Sequence, residues 1–173
     1  GAIADTAPYY TGGRPADPVC NAYLLMPFFS YQLYGDARFV RQIYGGCKKW
    51  VDFLLSKSEN YIMQYSYYAD WVAPECFGEH TDNLYVSSVF LYWQLKLLSR
   101  LAGIAGRGED AAAYAEHAER SAAAIRARYY DARAHRFAGG TQAADALALS
   151  LGIAEEGGRG AVAENLATNV RKR

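Results

Sequence analysis

Three short stretches set the limits on what this chain can fold into: Gly35-Asp36, Gly108-Glu109 and the run from Gly152 to Glu155. Each reads as a helix stop, a tight turn and an acidic helix start. Glycine takes the left-handed conformation that ends a helix, and a carboxylate suits the positive end of the next one. Apolar residues recur at helical intervals on both sides, so the chain predicts three helix hairpins with long connections between them. Antiparallel helices then gather the tight turns at one end and the long connections at the other. Function usually sits on long, side-chain-rich connections. That end holds residues 1–16, 64–82 and 131–140.

The first helix is predicted to start at Asp17-Pro18, an N-cap followed by a residue pre-set for the first turn, and to reach Tyr34. Pro27 should kink it or split it. Asp36 opens the second helix, whose middle Gly45-Gly46 weakens. Thr81 or Asp82 opens the third, Glu109-Asp110 the fourth, which ends near Tyr129. "TQAADALALSL" is the fifth and 155–170 the sixth. Strand is limited to a short pair within 61–68 and around Phe137. The fold class is all-α.

Composition excludes several functions. With 51% apolar residues the 173-residue chain is globular, and it fits one domain or a piece of a larger one. No apolar run approaches the ~18 residues of a bilayer span, and no basic-then-apolar leader opens the sequence, so no membrane partner is expected. Eighteen basic residues balance eighteen acidic ones, and the sole basic run is Arg171-Lys172-Arg173, which argues against nucleic acid. Cys20, Cys47 and Cys76 are odd in number and lack CxxC spacing. Free thiols fit a reducing compartment, so a cytoplasmic location is expected, with periplasm or secretion left open. His80, His117 and His135 lie 37 and 18 residues apart, without metal-ligand spacing, so no metal is expected. No glycine pair forms a phosphate loop, so no cofactor is expected, and Ser87 and Ser88 fall in a helical pattern rather than a nucleophile elbow.

The stretch "QYSYYADWVAPECFGEHTD" (64–82) is the candidate for chemistry. Its rings, Tyr65, Tyr67, Tyr68 and Trp71, sit in a connection where they cannot all reach a core. Carboxylates accompany them: Asp70, Glu75, Glu79 and Asp82, with Glu59 upstream. Aromatic faces beside acids are what sugar clefts need, and glycoside hydrolysis needs a pair of carboxylates. Solvated loop acids and helix caps are the plain alternative.

The residues assembled so far resemble the catalytic domain of α-L-rhamnosidases, glycoside hydrolase family 78. "AYLLMPFFSYQLYGDARFVRQIY" is similar to that family's helix pair, with Ala22, Pro27, Tyr31, Tyr34, Gly35, Asp36, Arg38 and Tyr44 in register. "KKWVDFL" looks like its next segment, "ADWVAP" resembles its Gly-Asp-Trp element, and "GGTQAADALAL" its Thr-Gln helix start at Thr141 and Gln142. The resemblance implies an (α/α)6 barrel, of which residues 1–173 would be a part of about three hairpins, half the ring. It also implies inverting hydrolysis of terminal α-L-rhamnosides, with the sugar bound at the long-connection end. Asp70 would accept hydrogen bonds from sugar hydroxyls, Trp71 would stack on a sugar face, and His80 would help line the loop. Many members carry Trp-x-Asp where this chain has Val19 and Asn21, and Asn21 can still hydrogen-bond a hydroxyl.

The family's general acid belongs to a motif that would precede residue 1, and its general base to one that would follow residue 173. No catalytic residue is therefore assigned within the chain, which alone should be inactive. Raw edges of a half-barrel imply self-association, or stability only with the rest of the ring. Two alternatives stand beside this reading: another (α/α)6 glycosidase or lyase, and a non-enzymatic helical-repeat binding module.

Overall fold

Gly35 takes φ 67° and gives its N–H back to the Tyr31 carbonyl at 2.8 Å, which ends the first helix, α1 (Ala22–Tyr34). The computed structural model describes residues 1–6, 14–71 and 80–172. Five helices follow α1 among them: α2 (Arg38–Ser56), α3 (Asn83–Ile104), α4 (Gly108–Tyr129), α5 (Gln142–Ser150) and α6 (Glu156–Arg171). The long connections carry two antiparallel two-stranded ladders, β1 (Ser58–Glu59) with β2 (Ile62–Met63), and β3 (Tyr130–Asp131) with β4 (Arg136–Phe137). Asn60 and Tyr61, at φ 49° and 65°, make the tight turn between the first two. Among the described residues no helix is long and apolar enough to cross a membrane.

The helices form two layers. Helix α3 packs on α1 and α5 in one layer and on α2 and α4 in the other, while α6 lies on α5. This is the arrangement of three consecutive hairpins of an (α/α)6 barrel. Helix α3 is apolar on most sides and buries Tyr85, Val89, Leu91, Leu95 and Leu98. Helix α2 instead buries one stripe, Val40, Tyr44, Cys47, Trp50, Val51 and Leu54. At the edge of the first layer α1 leaves Met26, Phe29, Leu33 and Tyr34 exposed.

A polar bridge through Gln94 crosses the core. Gln94 of α3, fully buried, accepts the Trp50 indole N–H at 2.7 Å and donates to the Pro18 carbonyl at 2.7 Å. It ties both layers to the segment before α1.

One expectation needs correction and another is narrowed. The first helix begins at Ala22, not Asp17, because the Asp17 side chain is engaged elsewhere; Asn21 takes the N-cap position. Pro27 does not split it. Proline has no N–H for the Tyr23 carbonyl four residues back, and the Cys47 thiol of α2 donates to that oxygen instead, at 3.5 Å. Helix α2 runs on through Gly45-Gly46, and Gly46 leaves room for the Tyr23 side chain of α1, whose hydroxyl a Cβ there would run into. Of the two residues that could open α3, Asp82 is the cap, accepting the Tyr85 N–H at 2.7 Å.

Gln94→Leu keeps the volume of the bridge but leaves the Trp50 N–H and Pro18 carbonyl unpaired. Each such group should cost about 1–3 kcal/mol, read as a lower urea midpoint at unchanged slope.

Asp145 of α5 is buried and accepts the Phe137 N–H at 2.8 Å; burial raises its carboxyl above the usual range. A raised acid stabilises the fold fully below its unfolded value, and that contribution is lost as pH rises through the folded one. The stability of Asp145→Asn relative to the parent chain should therefore increase between pH 4 and pH 7, checked by urea melts at both.

Candidate functional site

Asp17 is fully buried, just before α1, and its carboxylate is surrounded by backbone amides. Oδ1 accepts the Val19 N–H at 3.0 Å, and Oδ2 accepts those of Tyr67, in a short contact, and Tyr68 at 2.8 Å. Its own N–H donates to Asp5 Oδ1 at 2.9 Å. A buried carboxylate is tolerable only with such donors, and it pins the aromatic connection to the start of the first hairpin. Tyr65 adds a bond from its hydroxyl to the Ala16 carbonyl at 3.1 Å, and burial pushes its phenol upward in pKa.

Outside this clamp the rings form a platform. The Arg14 guanidinium lies 4.0 Å above the Tyr67 ring centre and donates to the Tyr68 hydroxyl at 2.7 Å. Tyr68 meets Trp71 at a centroid distance of 5.3 Å, and Trp71 is 70% exposed. Among the described residues it is not one of the hydrophobic side chains packed against the helix core.

Asp70 is half-buried beside it. Its Oδ2 accepts the Thr81 hydroxyl at 2.8 Å, and Thr81 Oγ1 lies 2.6 Å from Thr141 Oγ1 at the start of α5. Together with Ala69, Asp70 overhangs an apolar groove of about 420 Å³ between α3 and α5, floored by Val86, Phe90, Ala146 and Leu147. An anionic acceptor, an exposed indole and an apolar groove can bind a ligand that has hydroxyls on one side and C–H surface on another.

The other expected residues are placed differently. His80 is exposed and Asn21 half-buried, and among the described residues neither hydrogen-bonds Asp70. The Asn21 carbonyl takes the Leu24 and Leu25 N–H groups at 3.0 Å, while its side chain makes no cap bond. Glu59 lies in β1 on a groove shared with Arg128 of α4. Glu75, Cys76 and Glu79 fall outside the described residues. Among those described, no three His, Cys, Asp or Glu side chains are grouped to hold a metal ion. Sequence reasoning missed Arg14 and the Asp17 clamp, and read Thr81 only as a helix opener.

Residues 1–173 match the family described as the bacterial alpha-L-rhamnosidase 6 hairpin glycosidase domain. The chain belongs to that family. An alpha-L-rhamnosidase of Alteromonas sp. (strain LOR) is 28% identical to this rhamnosidase-family chain over 141 residues, 77% of the chain and 15% of the relative. The α-L-rhamnosidase structure from Dictyoglumus thermophilum superposes with a TM-score of 0.90 at 26% identity, covering 97% of the chain and 20% of that protein. For Streptomyces avermitilis α-L-rhamnosidase, determined in complex with L-rhamnose, the TM-score is 0.88 at 24% identity, over 99% of the chain and 16% of that protein. This last likeness is one of fold. The rhamnosidase-family chain thus spans a fifth or less of these relatives.

Asp17→Ala should free the 67–71 segment. The Tyr67 and Tyr68 amides should lose protection in hydrogen exchange, and stability should fall by roughly 1.5–3 kcal/mol, as for hydrogen bonds to a charged group. Asp17→Asn should recover only part of this, since its amide group presents hydrogens to amide donors.

Proposed function

We propose that the chain supplies one wall of the sugar cleft of an inverting α-L-rhamnosidase, an enzyme that releases terminal α-L-rhamnose from rhamnosides. The carrying observation is Asp70 beside Trp71 at the long-connection end: a carboxylate fixed by Thr81 next to an indole that is 70% exposed. Family membership and the likeness to rhamnosidase structures support the substrate class. Rhamnose is a 6-deoxy sugar, so it offers hydroxyls to Asp70 and C–H and methyl surface to Trp71 and the groove between α3 and α5.

An inverting glycosidase holds two carboxyls roughly 6.5–9.5 Å apart, one to protonate the leaving oxygen and one to activate water. The family resemblance assigns both to segments outside this chain, whose part is binding and orientation. The exposed apolar edge of α1 fits the same picture. Three hairpins are present in a six-hairpin family, and the remainder of the ring would cover Met26, Phe29 and Leu33.

In the full-length enzyme, Asp70→Ala and Trp71→Ala should each weaken L-rhamnose binding by about tenfold or more with little change in melting temperature. Unaltered affinity in both variants, by calorimetric titration, would remove the pair from the cleft. A cooperative melt lowered by many degrees in Trp71→Ala would make the indole a packing residue.

A further inference from the structure

The geometry points to Thr81 as a positioning residue that orders Asp70 through a directed hydrogen-bond chain starting at the N-terminus of α5. This inference rests on the reading of Asp70 as a sugar-binding residue.

Proton counting fixes the direction. An ionised carboxylate has no hydrogen to give, so Thr81 must donate its single hydroxyl proton to Asp70 Oδ2 across 2.8 Å. The 2.6 Å contact between Thr81 and Thr141 must then use the Thr141 proton. Thr141 Oγ1 in turn accepts the Ala144 N–H at 3.2 Å as the N-cap of α5. The order is Ala144 N–H to Thr141 to Thr81 to Asp70, with every hydroxyl both accepting and donating. Thr81 is 1% exposed, so bulk water does not compete for its hydrogen. Each bond polarises the next, and the chain starts at the positive end of a helix and ends on an anion.

Two consequences follow for Asp70. Its carboxylate is oriented by a donor from a buried side chain that is itself bonded to the N-cap of α5. With Oδ2 accepting the Thr81 hydroxyl, the direction in which Oδ1 points is set by that bond, and Oδ1 is the oxygen this inference assigns to a sugar hydroxyl. Thr81 and Thr141 belong to different long connections, 60 residues apart, so the chain also locks those connections together at the cleft.

The test is a double-mutant cycle on L-rhamnose affinity in the full-length enzyme, with Thr81→Val, Thr81→Ser and Asp70→Ala. Thr81→Val keeps the shape and removes the hydroxyl; it should weaken binding about tenfold, the scale of a hydrogen bond to a charged group. Thr81→Ser should restore affinity to within about twofold, because the chain needs the hydroxyl and not the methyl. In the Asp70→Ala background Thr81→Val should have no further effect, since Thr81 acts only through Asp70. If Thr81→Val fails to give a cooperative melt, Thr81→Ala replaces it in the same cycle. Additive losses, or no rescue by serine, would overturn the inference and leave Thr81 a stability residue. Weakened binding in Asp70→Ala with none in Thr81→Val would overturn it while the cleft reading stands. Unchanged binding in Asp70→Ala would remove the cleft reading and this inference together.

Discussion

Helix α3 has neighbours on both sides in its own layer and behind it in the other, and everything else is arranged by that burial. A helix apolar on one stripe could lie at a surface. One that buries Tyr85, Leu91, Leu95 and Leu98 on different sides must be surrounded, so α1, α2, α4 and α5 are held against it. The buried side-chain amide of Gln94 is satisfied on both atoms and fixes how α2 and the segment before α1 sit on α3. The long connections then inherit their positions from the ends of α3 and α5, which is how a set of loops comes to present an ordered surface.

The hairpins were legible because their signals are local. Gly35 and Gly152 stop helices by a backbone conformation that neighbouring residues can predict, and Asp82 caps α3 within three residues. Misreadings came where the partner is distant in sequence. Asp17 looks like a helix cap until Tyr67 and Tyr68, fifty residues on, claim its carboxylate. Pro27 looks like a break until a side chain of another helix takes over the carbonyl that proline abandons. Local propensity was overridden in both cases by a tertiary hydrogen bond.

The candidate site divides the same way. Asp70 and Trp71 were visible as a dipeptide within an aromatic connection, and the structure puts the indole in solvent and the carboxylate beside an apolar groove. The groups that hold them were not visible. Arg14 and Tyr67 meet as cation and ring across a long stretch of chain, and Thr141 reads from sequence as an ordinary N-cap with no hint that Thr81 shares its hydroxyl. His80 and Asn21 were named from the resemblance, and no hydrogen bond among the described residues ties them to Asp70.

The thiol that replaces the missing proline N–H bears on where such a protein can live. Cys47 has no exposed surface, and burial raises its pKa to about 11, so it stays a protonated donor at any physiological pH. Cys20, raised to about 11 by burial and then by Asp5 and Asp17, is similarly unreactive. Thiolate is the form that oxidants attack, and neither side chain offers it. The protonated thiol is therefore the dominant form of both side chains at neutral pH, and it is oxidised more slowly than a thiolate. Their presence records a packing solution and says nothing about which side of a membrane the protein occupies.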